Sequence, residues 1–528
     1  MQYCSLVYLA AFLPITLLIY ALTNKKKRWL VLLIASYIFF LSLSGKLIVY
    51  LLFSTLSIHH FGLWLDRLNK DRDKEVELNK DNKKEIKELY KKKMGRVVFL
   101  AVLIHIGLLV CLKYTGFFGE NINNLLEILN FDFRFKIPKI LIPIGISFYT
   151  LQGLSYIFDV YKGKIDADFN LGRLALFMSF FPCIMEGPIC RYSDTANKLY
   201  EGEDLTYKNL AFGSQRILWG LFKKMIIADR LNPFIEKIFC EYNSLDGGVI
   251  LLGAIFYTIQ LYADFSGTID VVIGSGELFG ISLPENFRQP FFSKNISDFW
   301  TRWHITLGTW FRDYIFYPVS LSKPMKKMTL NLRKILGNHF GPLVAGSVAL
   351  LCVWLSNGLW HGAAWTFVFF GIYHFILIVL GNIFTPLIIN ICKRWHITRT
   401  SKPYVFMQIF KTSILVVFGE LFFRATTLSS GFAMFKKIFT DFSFNSLKTG
   451  SIFKLGCDRA DFTIILLALV IIFMVGLLKE KGFNVRELVA KQNIFVRWTL
   501  YYLLIIAIVI FGAYGFGYAP VDPIYANF

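Results

Sequence analysis

Charge is what this chain lacks most. Only 18% of its 528 residues are Asp, Glu, Lys or Arg, against about 25% in soluble domains. From Gly341 to Cys392, 52 residues run without any. That excludes an ordinary soluble globular protein. Acids are scarcer than bases: 36 Asp and Glu face 57 Lys and Arg, a net charge of +21. On a soluble protein this would suggest nucleic acid. On an apolar chain it marks loops kept in the cytoplasm and an affinity for anionic membrane lipid, so no nucleic-acid partner is expected. The eight cysteines show no C-x-x-C pair and no zinc spacing, so no metal is expected, and most read as small buried hydrophobes. The G-x-S-x-G, H-E-x-x-H, P-loop and G-x-G-x-x-G patterns are absent too, which removes the routes they serve. No internal repeat supports an inverted-repeat transporter. The first apolar run, Tyr3–Leu22, lacks the basic start and small-residue cleavage site of a signal peptide and reads as a retained transmembrane helix.

Long apolar runs are what is there, and they predict an all-α polytopic membrane protein. Tyr3–Leu22, Trp29–Leu43 and Leu47–Leu65 come first, then Asp66–Arg96 with 12 basic and 8 acidic residues, whose Glu/Lys spacing predicts an exposed helix. Val97–Leu112, Ile140–Phe158, Val405–Leu421, Phe462–Leu478 and Trp498–Tyr514 are further crossings. Leu171–Pro182 is too short to span, and with Glu186-Gly187-Pro188 after it a re-entrant or broken helix is expected. Ala211–Leu231 is amphipathic, with Lys223, Lys224, Asp229 and Arg230, and is expected along the interface. Val249–Leu278 forms another helical region. Alternation brings the basic loops, Lys479–Arg497 among them, to one side, the cytoplasmic one. Both termini, including the tail Ala519–Phe528, then face outward. A basic cytosolic face suits an acidic partner such as coenzyme A phosphates or a carrier protein.

The uncharged stretch holds a polar knot, Ser356-Asn357-Gly358-Leu359-Trp360-His361-Gly362. Two segments fit into 52 residues, but the first, ending at Leu355, has only about 15 and barely spans. The knot is thus expected inside the membrane-embedded body, where polar groups line cavities or pathways. A second Trp-His pair, Trp303-His304, sits in a segment rich in aromatic residues and charge. There Asp298 and Arg302 are four apart and predicted to pair, and Trp300 and His304 are predicted to share a helical face. Histidine takes and returns protons near neutral pH. A base in a dry pocket can deprotonate a hydroxyl beside a thioester carbonyl, with Asn357, Trp360 or His304 as hydrogen-bond donor to the oxyanion. Composition and spacing alone leave both His361 and His304 open between this role and ordinary packing. His59, His60, His105 and His374 read as packed residues bonded to carbonyls, and His339 and His396 as solvated. On a continuous helix His374 would lie about 220° round from His361.

Six segments, taken in order, carry a resemblance. They are Ile142–Tyr149; Phe180-Phe181-Pro182 through Gly187-Pro188-Ile189; Tyr262-Ala263-Asp264-Phe265-Ser266-Gly267; Pro284-Glu285-Asn286-Phe287; Asp298–Asp313; and Leu359-Trp360-His361-Gly362-Ala363-Ala364-Trp365. The chain resembles the membrane-bound O-acyltransferase family (MBOAT), in its bacterial branch of alginate and peptidoglycan O-acetylation membrane subunits and the teichoic acid D-alanyl transfer protein. The resemblance implies a multi-helix bundle with re-entrant helices around a central funnel and tunnel. It implies a catalytic core over residues 1–425, with a C-terminal transmembrane hairpin and outward tail over 426–528. It makes His361 and His304 the catalytic pair, with Asn357, Trp360, Trp303, Arg302, Asp298, Arg312, Asp313 and Asp264 as substrate-binding candidates. It implies a cytosolic thioester donor, acetyl-CoA or another acyl thioester, no bound cofactor, and an acceptor hydroxyl on a cell-surface polysaccharide. The location is the bacterial cytoplasmic membrane, and a separate extracytoplasmic hydrolase-like transferase is the expected partner. D-alanyl transfer from a carrier-protein thioester to teichoic acid is the alternative within the family; a transporter or flippase gated by the knot is the alternative outside it.

Overall fold

Apolar sequence becomes helix almost throughout. The computed structural model describes residues 1–514 and Val521. Among them no strand forms, and eight helical segments are long and apolar enough to cross a bilayer. This is an all-α polytopic membrane protein, divided into two compact units.

The first unit comprises Met1–Ser214 and Val272–Pro284. It holds α1 (Leu13–Leu22), α2 (Arg28–Ser44), α3 (Ile48–Leu78), α4 (Lys83–Ile128), α5 (Ile146–Tyr161), α6 (Leu171–Ser179) and α7 (Tyr192–Glu201). The charged stretch Asp66–Arg96, expected as one exposed helix, is the end of α3 and the start of α4, parted at Asn79. Asp66 is buried and the other charges are exposed or half-buried, while Ile86, Tyr90 and Met94 bury an inner face. Pro143 and a left-handed Gly145 delay α5 until Ile146. Its 16 residues cover about 24 Å, less than the roughly 30 Å hydrocarbon core, and all but its last turn is buried. After the short α6 the chain turns through a buried non-helical stretch to Cys190, as the apolar run broken by Gly and Pro predicts. Peptide groups in such a turn need partners. Phe181 N–H donates to Ser36 Oγ (3.0 Å), Tyr3 OH donates to the Phe181 carbonyl (2.8 Å), and Gln152 Nε2 donates to the Phe177 carbonyl (2.6 Å).

The second unit comprises Gln215–Val271 and the described residues from Glu285 on. Its helices begin in α8 (Tyr207–Lys223) and continue with α9 (Asp229–Glu241), α10 (Gly247–Leu278), α11 (Ile296–Arg302), α12 (Ile305–Phe311), α13 (Tyr317–Ser320), α14 (Lys323–His361) and α15 (Trp365–Arg394). After these come α16 (Lys402–Arg424), α17 (Leu428–Thr440), α18 (Asn445–Lys448), α19 (Arg459–Glu480), α20 (Val485–Ala490) and α21 (Ile494–Phe511). Two expectations from the sequence do not hold in the structure. Lys223, Lys224, Asp229 and Arg230 are all buried, so these charges of the 211–231 stretch do not face the interface. Lys223 pairs with Asp270 (2.6 Å), Lys224 with Asp264 (2.5 Å) and Asp229 (3.2 Å), and Arg230 with Asp461. Second, the polar knot does not end its segment at Leu355. After a bend at Gly337 (φ 78°), α14 runs on through the knot to His361, because helical hydrogen bonds satisfy the backbone whatever the side chains are. The tail Ala519–Phe528 lies outside the described residues except for Val521.

Candidate active site

The mixed segment 285–313 cannot span, and its short helices are tied by main-chain bonds. Arg288 N–H donates to the Arg302 carbonyl (2.9 Å) and Ile305 N–H to that of Asn286 (3.0 Å). Asn286 is fully buried. Its Oδ1 accepts from Thr306 N–H (3.1 Å) and Thr306 Oγ1 (3.0 Å), and lies 3.2 Å from His304 Nδ1. A carbonyl oxygen only accepts, so His304 carries its proton on Nδ1 and keeps a lone pair on Nε2. Burial, and then the neighbouring His361, hold the His304 imidazole well below the ordinary histidine range, so the ring is neutral.

Trp300 and His304 do not share a helical face as expected. α11 ends at Arg302, and His304 adopts a left-handed backbone (φ 46°) between α11 and α12, a conformation uncommon outside glycine. Their rings therefore part. His304 packs on Phe265 (4.9 Å between centroids) and Trp360 (5.6 Å). Trp300 packs on Trp354 (5.0 Å) and donates from Nε1 to His374 Nδ1 (3.2 Å).

His361 is the last residue of α14, and Asn357 lies one turn before it on the same face. The chain then breaks at an extended Gly362 before α15 begins. That break voids the continuous-helix angle between His361 and His374. Phe370 touches both rings, at 6.2 Å and 4.6 Å. His374 is packed, as read from sequence, but against an indole N–H and not a carbonyl. α14 and α15 meet at two glycines. A Cβ on Gly358 would sit 2.4 Å from the Phe367 carbonyl oxygen, and one on Gly371 2.4 Å from that of Trp354. Only glycine permits that approach.

His361, His304, Asn357, Trp303, Trp300 and Arg312 line one cavity of about 490 Å³. Trp360 lies outside this lining and touches both histidines, His361 at 5.1 Å. Asn357 is buried, and its Oδ1 has no hydrogen-bond partner among the described residues, which in a native interior calls for a ligand or water. The other sequence candidates lie elsewhere. Asp298 and Arg302 pair at 2.9 Å, as their spacing predicts, and Arg302 also reaches Glu480 (2.8 Å), away from the cavity lining. Asp313 pairs with Arg312 (3.0 Å) on the exposed side. Asp264 belongs to the Lys224 ion cluster. Among the described residues no group of three or more His, Cys, Asp or Glu side chains is arranged to hold a metal ion.

Sequence reasoning singled out neither Asn286 nor the Trp300–Trp354–His374 cluster nor Phe423, whose ring packs on His361 at 5.2 Å. Asn286 stands inside the Pro284–Phe287 motif, which was the available signal. The cluster had none, because aromatic residues are common along the whole chain.

Known proteins share much of this sequence. Residues 165–332, which include His304 and Asn286, match the family model described as MBOAT, membrane-bound O-acyltransferase family. A probable alginate O-acetylase of Pseudomonas aeruginosa is 32% identical over 444 residues, 83% of this chain and 75% of that protein. A peptidoglycan O-acetyltransferase of Helicobacter pylori is 31% identical over 365 residues, 64% of each chain. A teichoic acid D-alanyltransferase of Bacillus subtilis is 32% identical over 247 residues, 46% of this chain and 59% of that one. Similarity at 32% identity over 83% of a multi-span helical chain and 75% of a relative's length has one reading: the chain belongs to the membrane-bound O-acyltransferase family and is an integral membrane O-acyltransferase.

Proposed function

We propose that the protein moves an acetyl group from a cytosolic thioester, acetyl-CoA, towards hydroxyls of an extracytoplasmic cell-surface polysaccharide. The observation that carries this reading is the single cavity shared by His361, His304 and Asn357. A thioester is already activated, so the site need supply a base, positioning and oxyanion stabilisation. His361 takes the acceptor hydroxyl proton as oxygen bonds to the thioester carbonyl carbon. The Asn357 amide N–H meets the oxyanion. Collapse breaks the C–S bond, and the thiolate leaves with the proton returned by His361. His304, its Nδ1–H directed at Asn286, presents Nε2 as an acceptor. It therefore orients an N–H or O–H of the donor instead of serving the oxyanion.

In this reading the basic loops face the cytosol of a bacterium, both termini face outward, and residues 1–425 form the catalytic core. Residues 426–528 add the C-terminal hairpin and tail, and a separate extracytoplasmic hydrolase-like transferase completes delivery to the polymer. Acetyl is favoured over D-alanyl because the relative named for alginate O-acetylation aligns with 83% of the chain and the one named for D-alanylation with 46%. The test is turnover of radiolabelled acetyl-CoA by the full chain in lipid nanodiscs. His361→Ala should lower it at least 100-fold, the scale of general base catalysis, with unchanged thermal unfolding. Retained turnover refutes the role of His361; labelling only by a carrier-bound D-alanyl thioester refutes the acetyl assignment.

A further inference from the structure

A second hollow, of about 930 Å³, lies among α8, α19, α20 and α21, and no step of the proposed reaction uses it. Its lining changes character from one end to the other. One end carries Arg216, Arg288, Lys479 and Arg486 against only two carboxylates, Asp270 and Glu285. Arg216 already engages both acids, at 2.9 Å and 2.6 Å. The other end is an apolar strip: Ile471 and Val475 on α19, and Leu500, Leu503, Leu504 and Ala507 on α21. Spacings of four, and of three, four and seven, keep each set on one helical face. Both helices are apolar enough to span and bury few of their residues among the described residues, so the strip opens towards lipid.

The dimensions match one leaflet. Lys479 stands at the end of α19, and Ile471 lies eight residues, about 12 Å, further in. Ala507 lies 13 residues, about 20 Å, from the start of α21. Half the hydrocarbon core is about 15 Å. The hollow is thus charged at headgroup depth and apolar over the reach of an acyl chain. A water-soluble diphosphate satisfies the cations and leaves the strip bare. A zwitterionic lipid fills the strip but brings its own cation to a positive site.

We propose that this groove is a binding site for an anionic phospholipid, its phosphate held by Arg288, Lys479 and Arg486 and one acyl chain laid between α19 and α21. Arg288 and Ile305 also line the histidine cavity, so the bound lipid braces the segment that carries His304. The proposal stands whichever acyl donor the enzyme uses.

The test is native mass spectrometry of the delipidated full chain, titrated with phosphatidylglycerol or with phosphatidylcholine of equal chain length. Phosphatidylglycerol should bind at least tenfold more tightly. Lys479→Gln with Arg486→Gln should weaken it about 30-fold, as two headgroup-level cations are removed, and leave phosphatidylcholine unchanged. Ala507→Trp, which fills the strip and spares the charges, should weaken both lipids. Equal affinity for the two lipids overturns the proposal. So does displacement of phosphatidylglycerol by equimolar coenzyme A or inorganic phosphate, or a double variant that binds like the parent.

Discussion

Asn286 is where one side-chain atom holds the most of the site. Asn286→Ala removes a buried oxygen within hydrogen-bond distance of Thr306 N–H, Thr306 Oγ1 and His304 Nδ1. At about 1 kcal/mol for each net bond, and more where a buried donor is stranded, the loss is about 3 kcal/mol. The main-chain bond from Ile305 N–H to the Asn286 carbonyl survives, so the fold should persist while the left-handed turn at His304 loosens. Asn286→Asp separates packing from electrostatics. It retains the oxygen but replaces the buried Nδ2, which has no partner among the described residues, with part of a negative charge. That charge draws a second proton onto His304 and turns Nε2 from acceptor into donor. Three measurements follow both variants: thermal unfolding in detergent, acetyl-thioester turnover, and nitrogen NMR of 15N-histidine-labelled protein. Asn286→Ala should unfold several degrees lower and raise the KM for the donor more than it lowers kcat. Asn286→Asp should show an imidazolium signal that the parent lacks. An alanine variant within about 0.5 kcal/mol of the parent and within twofold in kcat/KM would refute the reasoning.

Lys224→Met strands Asp264 and Asp229 together in the interior and should cost about 3–5 kcal/mol, read as a large drop in unfolding temperature. Gly358→Val forces α14 from α15, where even a Cβ would sit 2.4 Å from the Phe367 carbonyl oxygen; it should cost about 1–3 kcal/mol and depress turnover by displacing Asn357 and His361. Arg302→Gln, by contrast, breaks partly exposed pairs with Asp298 and Glu480. It should cost about 1 kcal/mol or less and leave kcat within a few-fold in the same turnover assay.

Hydropathy determined most of the fold in advance. A long uncharged run has no low-energy place outside a bilayer, and a bilayer accepts such a run only with its backbone bonds closed within itself, as helix. Local spacing determined the Asp298–Arg302 pair, because residues four apart on a helix must be neighbours. The order of short motifs determined the family. Tertiary structure decided what depends on partners distant in sequence. Whether Lys223 and Lys224 meet water or buried aspartates turned on α10, some forty residues away. Whether His374 counted round the same helix as His361 turned on the break at Gly362, which a hydropathy plot does not register. The convergence of His304 and His361 on one cavity rests on a left-handed turn fastened by Asn286. No periodicity announces such a turn, because it is set by one buried hydrogen-bond acceptor and not by a repeating pattern.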